Sequence, residues 1–297
     1  MNLAEITPLI LTYNEEANIE RTLAGLSWAR QIVVVDSGST DGTAAAVARF
    51  PTATLVRRLF DNHTAQWNFG LEQIQTPWVL TLDADYLCPT PLGDELRMLV
   101  PAHNAYEASF RYCIHGKPLR GTLYPPRVVL FRSDRFRYKH DGHTQVLVVA
   151  EATCQLKTAI HHDDRKPLAR WLADQCKYAD MEVAKLLSAS SATPGWKDRL
   201  RNGLVWAAPA TLFYCLFVKR LILDGRPGLY YTLQRVYAEL LLSLKLLDAK
   251  LRRAVDVQRF KLDEEKANPH PALSQRERNS KAVTLASAGC LNEDSRH

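Results

Sequence analysis

Val79-Leu80-Thr81-Leu82-Asp83-Ala84-Asp85 is an apolar run that closes on two carboxylates one residue apart. A strand buried on both faces reads as such a near-continuous hydrophobic run, and in open α/β sheets ligands gather outside the carboxyl ends of the strands. Asp83 and Asp85 therefore fall where a cleft is expected. If the chain stays extended, residues i and i+2 point the same way and both carboxylates reach one ligand. Paired hard oxygen donors suit Mg²⁺ or Mn²⁺, above all where substrate phosphates complete the coordination shell. Taken alone, the triplet reads more readily as a solvated corner between strand and loop.

Upstream of this run, Ile6 to Thr12 is apolar and stops at Tyr13-Asn14-Glu15-Glu16, where Asn14 is placed to cap a helix running to Leu26. Ile32 to Val35 ends at Asp36-Ser37-Gly38-Ser39-Thr40-Asp41-Gly42-Thr43, a loop of small and polar residues that a ligand can approach closely. An alanine-rich helix from Asp41 or Thr43 to about Phe50, a short strand at Ala53 to Val56 and a helix at Thr64 to Ile74 lead back to Val79. Four alternations of strand and helix predict an α/β fold, a doubly wound and mostly parallel sheet flanked by helices, with right-handed crossovers placing the strand ends on one rim. Asn14, Glu15, Asp36, Asp83 and Asp85 all fall on that rim. Glu15 also reads as a first-turn acid facing its own helix dipole.

These blocks, with Trp67-Asn68-Phe69-Gly70, resemble the family 2 glycosyltransferases of GT-A fold over roughly residues 5 to 180. The resemblance implies a nucleotide-sugar donor: the segment Thr12, Tyr13, Asn14 and Glu15 together with Asp36 borders the nucleoside, Asp83 lies near the ribose, and Asp85 ligates the metal. The chemistry is coherent with that, because departure of a nucleoside diphosphate develops negative charge that a divalent ion neutralises. Asn68 reads either as a ligand contact or as an ordinary polar helix residue. Arg127, at the start of a strand running to Arg132, either reaches the diphosphate with its planar fork or stands free on the surface.

An inverting transferase needs a base for the acceptor hydroxyl, and Tyr138-Lys139-His140-Asp141-Gly142-His143-Thr144-Gln145 offers Asp141 and His143. Relatives often carry a carboxylate here, some as a His-Glu pair, and the Asp-Gly-His-Thr of this chain departs from that pattern, which keeps His143 open; Asp141 is favoured because a carboxylate beside a cationic sugar-like transition state also stabilises charge. Relatives also have a histidine near Ile160-His161-His162-Asp163 that lies by the metal or diphosphate, and imidazole is a sound Mn²⁺ ligand. His161 and His162 compete for that role, and a charged loop leading into a helix is the plainer reading.

Trp171 to Leu187 has apolar residues at helical spacing. Asn202 to Val218 is free of charge and aromatic-rich, between Lys197, Arg199 and Arg201 on one side and Lys219-Arg220 on the other. It falls short of the roughly twenty residues a spanning helix needs, and Pro209 interrupts it. An in-plane membrane segment with basic flanks on anionic headgroups is expected, with a buried core helix as the alternative. A turn at Leu223 to Leu229 and a helix from Tyr230 to about Leu247 follow. This ending resembles the lipopolysaccharide core-type glucosyltransferase branch of the family, whose acceptors are carried on lipid. The absence of a Q-x-x-R-W signature argues against a processive synthase. The expected organisation is a GT-A domain over 1–190, a helical membrane-associating region over 191–262, and a polar, disordered tail over 263–297.

Composition agrees without deciding. The 297 residues are 46% hydrophobic, as in a globular core, and the net charge of +6 suits an acidic partner. The motifs choose a nucleotide sugar and an anionic membrane surface, and leave nucleic acid aside. Six scattered cysteines without C-x-x-C read as reduced thiols, and the N-terminus lacks a basic region followed by an apolar core. The expectation is thus an inverting, metal-dependent, non-processive enzyme, peripheral or monotopic on the cytoplasmic face of the cell membrane. It would move a sugar from a UDP donor to a lipid-linked glycan such as lipopolysaccharide core or another cell-envelope glycan. Transfer to polyprenyl phosphate and a non-catalytic, nucleotide-binding membrane-surface protein are the alternatives.

Overall fold

The computed structural model describes residues 1–141, 144–188 and 206–267. Strands β1 (Ile6–Thr12), β2 (Ile32–Asp36), β3 (Ala53–Arg57) and β4 (Trp78–Asp83) lie parallel in the order β3-β2-β1-β4. Successive side chains alternate between two cores. Ile10, Val34, Leu80 and Leu82 enter one, while Leu9, Val33, Val35 and Val79 enter the other, so both faces of the sheet are covered. The register sets Thr12 beside Asp36 and Leu11 beside Asp83, which aligns the polar strand ends on one rim.

The helices between these strands are α1 (Ile19–Ala24), α2 (Thr43–Val47) and α3 (His63–Glu72). Asn62 caps α3 by accepting from the Ala65 N–H at 2.8 Å. The helix lies so close to β1 that a Cβ on Gly70 would come within 2.7 Å of the Leu9 side chain. The helix expected from Asn14 begins only at Ile19. Asn14 takes a left-handed backbone (φ 53°), which asparagine tolerates better than most residues but which cannot start a right-handed helix.

Beyond β4 the main sheet continues through β9 (Arg127–Arg132), β6 (Ala105–Ala108) and β12 (Cys154–Gln155), with β9 alone running against the rest. The single strand expected over Tyr106 to Ile114 is two strands. The chain leaves the main sheet at Ser109, and β7 (Phe110–Ile114) joins a second sheet with β5 (Tyr86–Leu87), β8 (Lys117–Pro118) and β13 (Ile160–His162), in the order β5-β13-β7-β8. The β7–β8 turn consists of His115 (φ 48°) and Gly116 (φ 81°), the positive pair that a tight two-residue hairpin demands. Between the two sheets in sequence lies α4 (Thr90–Met98), and a hairpin of β10 (Tyr138–Asp141) with β11 (Thr144–Leu147) packs Tyr138 on Trp67 of α3 at 5.3 Å.

The C-terminal region is helical: α5 (Leu168–Ser188), α6 (Ala207–Phe213) continuing as a π turn over Tyr214–Val218, a 3-10 turn at Leu221–Asp224, and α7 (Gly225–Ala267). Residues Met1–Lys245 form one compact unit and the remainder a second. Cys215, Leu221 and Tyr231 join Ile114 and Leu119 in a small core, so the apolar stretch near 206–218 buries one side. Its other side is open, with Trp206 67%, Phe213 60% and Phe217 55% exposed. Residues 202–205 and the expected domain boundary at 190 lie outside the described residues. The turn expected at Leu223–Leu229 is a short 3-10 turn leading directly into α7, which runs to Ala267 rather than Leu247. Polar residues read as disorder from 263 onward are helical as far as 267, because Glu, Lys and Ala are good helix formers. Among the described residues no helix is long and apolar enough to cross a membrane, and the described cysteines are free thiols.

Candidate active site

The rim over β1 and β2 is built by side chains that bind loops to one another. Asp36, fully buried, accepts from the Gly38 N–H at 3.3 Å, the Ser39 N–H at 3.1 Å and the Ser39 hydroxyl. Ser39 Oγ accepts from the Asn14 N–H, and Asn14 Oδ1 accepts from the Thr40 N–H, both at 2.8 Å. Thr43 Oγ1 accepts from the Glu15 N–H at 2.8 Å, and Asp41 from the Glu16 N–H at 3.2 Å. The left-handed turn at Asn14 and the small residues after Asp36 are therefore one laced unit. Thr12 Oγ1 stands buried at this rim without a hydrogen-bond partner. Asn68 is a brace: its Nδ2 donates to the Tyr138 carbonyl at 3.0 Å and its Oδ1 accepts from the Tyr138 N–H at 2.9 Å, which joins α3 to β10.

The second sheet brings the other half of the site. Pairing of Tyr86 with His162, and an Asp163 N–H to Asp85 carbonyl bond of 3.0 Å, set His162 Nε2 3.1 Å from Asp85 Oδ2. Both side chains are nearly buried, at 15% and 13% exposure. The two histidine candidates are thus separated: His161 is one step along the strand and so faces the other way. Burial and the nearby Arg111 depress the His161 pKa. The His162 ring is held among Tyr86, Tyr112 and Tyr124 at 5.3, 4.7 and 5.1 Å, and its Nδ1 is buried without a partner. Burial works against a charged His162, but the Asp85 carboxylate outweighs it and the pKa is raised. Burial likewise pushes Asp85 up, while His162 and then Lys166 bring its pKa below the ordinary value. For Asp83 burial and the Asp85 charge together raise the pKa, so the two carboxylates are driven apart.

Lys166 was not singled out by sequence. Its Nζ lies 2.7 Å from Glu15 Oε1 and 3.5 Å from Asp164 Oδ1, and Asn18 Nδ2 donates to Glu15 at 2.8 Å and Asp164 at 2.9 Å. Burial lowers the Lys166 pKa, but Glu15 and Asp85 outweigh that and raise it; Glu15 itself is raised by burial. Lysine before Pro167 in a charged loop carries no local signal, since its partner is 151 positions away. Arg21 and Arg165 clamp the buried Asp163 at 2.7 and 2.9 Å, which fixes the segment following His162. Arg127 stacks its guanidinium 4.6 Å over Tyr124, whose hydroxyl meets that of Tyr86. Asp141 pairs through its backbone with Thr144 in the β10–β11 hairpin. Its side chain, and the whole of His143, lie outside the described residues.

Residues 9–150 match the family described as glycosyl transferase family 2. This segment, a little under half of the chain, is a family 2 glycosyltransferase domain. Its mixed, mostly parallel sheet with flanking helices is the GT-A arrangement. The lipopolysaccharide core biosynthesis glycosyltransferase LpsC of Rhizobium meliloti is 37% identical over 100 residues, which make up 32% of this chain and 36% of that relative. The match thus spans little more than a third of LpsC. A glycosyltransferase of Rickettsia felis is 29% identical over 268 residues, covering 84% of this chain and 92% of its own length. Among solved structures, S. aureus TarS 1-349 in complex with UDP-GlcNAc overlays with a TM-score of 0.43 at 12% identity, covering 82% of this chain and 92% of that one.

The donor set fits a divalent ion only in part. Asp85 offers a hard carboxylate and His162 an imidazole, and among the described residues no three His, Cys, Asp or Glu side chains converge. Mg²⁺ and Mn²⁺ are commonly held in this way, by one or two protein groups with substrate phosphates and water completing the shell.

Proposed function

We propose that this family 2 glycosyltransferase moves a sugar, with inversion, from a UDP-sugar to a lipid-linked glycan such as lipopolysaccharide core or another cell-envelope glycan, using Mg²⁺ or Mn²⁺. The observation that carries the reading is the Asp85–His162 pair at 3.1 Å, set beside the laced rim of a parallel sheet. A divalent ion held there would neutralise charge on the departing diphosphate. Asp85, kept ionised by its neighbours, and His162 hold that ion. Lys166 adds a fixed positive charge next to Glu15, and Arg127 offers its fork beside Asp83. Thr12, Asn14, Glu15 and Asp36 shape the nucleoside side, and Asp83 borders the ribose. Asp141, on the hairpin braced by Asn68, takes the proton from the attacking hydroxyl, with His143 as the other candidate.

The LPS-core role in the name of LpsC supports an acceptor of that class. Exposed Trp206, Phe213 and Phe217, followed by Lys219 and Arg220, support docking on an anionic membrane surface, with the rings in the interface and the cations on headgroups.

The test is release of UDP from UDP-glucose in Mn²⁺, with and without delipidated core oligosaccharide. Oligosaccharide-stimulated release that EDTA abolishes is expected. Release indifferent to chelation contradicts the metal role, no release from any nucleotide sugar contradicts transfer, and transfer to polyprenyl phosphate instead contradicts the acceptor. Asp141→Asn is expected to slow turnover by about 10²–10⁴-fold with UDP affinity retained, the range for a general base. An unchanged rate moves the base to His143.

A further inference from the structure

A histidine that ligates a metal ordinarily donates its other ring N–H to a carboxylate, carbonyl or water, and that bond fixes the angle at which the ring meets the ion. At His162, Nε2 faces Asp85, while Nδ1 is buried and has no hydrogen-bond partner among the described residues. The orientation of the ring is therefore left to what packs against it. Tyr112 of β7 meets it at 4.7 Å, Tyr124 of the loop between β8 and β9 at 5.1 Å, and Tyr86 of β5 at 5.3 Å.

Two of these three rings rest on one residue of the C-terminal region. Tyr231, buried near the start of α7, packs its own ring on Tyr112 at 4.7 Å. Its hydroxyl accepts from the Leu123 N–H at 3.0 Å and lies 3.4 Å from the Thr122 hydroxyl; Thr122 Oγ1 in turn accepts from the Tyr124 N–H at 3.0 Å. Asp224, in the 3-10 turn just before α7, fastens the same loop further back. It accepts from the Arg120 N–H at 2.9 Å and from the Arg120 Nε–H at 3.1 Å. Close-packed side chains transmit a displacement rather than absorb it, so a change at Tyr231 reaches the rings on two sides of His162.

We propose that Tyr231 is a positioning residue for His162: through Tyr112 and the Tyr124 loop it holds the imidazole at the angle a divalent ion requires, in the role an Nδ1 hydrogen bond usually has. The inference rests on the reading of Asp85 and His162 as the groups that hold the ion.

The experiment takes two readings on the full chain at one pH. The first is the proton NMR signal of the His162 ring without metal, assigned by its loss in His162→Ala and sensitive to the ring currents of its neighbours. The second is Mn²⁺ affinity in the presence of UDP, by electron paramagnetic resonance. Tyr231→Phe keeps the ring on Tyr112 and removes only the hydroxyl, so the core stays filled. It is expected to displace the His162 signal and to weaken Mn²⁺ binding by about fivefold, the worth of one hydrogen bond. Tyr231→Leu also gives up the ring contact and is expected to displace the signal further and weaken binding by about tenfold or more, as for outer partners of a metal-bound histidine. Thr232→Val is the control. It removes the 2.8 Å bond from the Thr232 hydroxyl to the Gly228 carbonyl in the same part of α7, and is expected to leave both readings as in the parent. On a parent that binds Mn²⁺ through His162, the proposal is overturned if Tyr231→Phe leaves either reading unchanged, or if Thr232→Val moves them as far. A His162 signal that follows Tyr231 in a chain whose parent binds Mn²⁺ no better than His162→Ala overturns the metal reading and leaves Tyr231 as the residue that orients the ring.

Discussion

The laced rim and the face between the two sheets use the same residue types for opposite ends. At the rim, Asp36, Asp41 and Asn14 have their oxygens occupied by the N–H groups of neighbouring loops, so polarity is consumed in holding shape. Between the sheets, Asp85 meets His162 and Glu15 meets Lys166, side chain to side chain, with His162 Nδ1 left over. Charge balanced mainly by other side chains is open to exchange for a ligand. A motif rich in Asp and Asn is thus not uniformly a contact surface: one part holds loops together, and in the proposed function a pair distant in sequence carries the reactive charge.

Substitutions on the two sides should fail differently. Asp85→Asn is expected to have the largest effect, a fall in UDP release of at least about 10²-fold, comparable to removing a preorganised electrostatic group, with melting temperature nearly unchanged. Full activity would remove the distinction between the regions. Glu15→Gln leaves the Lys166 charge nearly buried and half-paired, and is expected to cost up to about 3 kcal/mol in urea unfolding along with turnover. Asp36→Ala, on the cradle side, strips the acceptor from the Gly38 and Ser39 groups; it is expected to cost about 1–3 kcal/mol of stability and to raise the donor KM while kcat falls little. A kcat loss as large as that of Asp85→Asn would place Asp36 in the chemistry.

The smallest effect concerns pH. Burial pushes the Asp41 carboxyl up, but the Thr43 hydroxyl and the Thr43 and Glu16 N–H groups outweigh it and hold the pKa below the ordinary 3.8. A carboxylate depressed in the folded state contributes stability above its unfolded pKa and loses it as pH falls through the folded one. The stability difference between the parent and Asp41→Asn should therefore be constant from neutral pH down to about 4 and shrink below that. A difference that grows on acidification would mean the loop hydrogen bonds do not favour the charged form.

The parallel strands were legible because each is a short apolar run ended by polar residues, and periodicity needs only neighbours. What depends on distant partners was not. His162 could not be told from His161 until β13 paired with β5, since a one-residue shift on a strand reverses the face. Lys166 emerged only once the chain returned to the loop that follows β1. Asn14 looked like a helix cap in sequence, but its amide is used by Thr40 across two loops, and this holds the backbone left-handed. The length of α7 was missed for another reason: polarity was taken for disorder, although strong helix formers sustain a helix in water-facing positions.

In the proposed function Asp85 and His162, not His161, hold the divalent ion at the donor. Mn²⁺ binding in the presence of UDP, read by electron paramagnetic resonance on the parent, His161→Ala and His162→Ala, tests it most directly. Parent-like binding is expected for His161→Ala, and a loss of at least about tenfold for His162→Ala, in line with removal of a metal-site residue. Equal affinity in His162→Ala and the parent would contradict it.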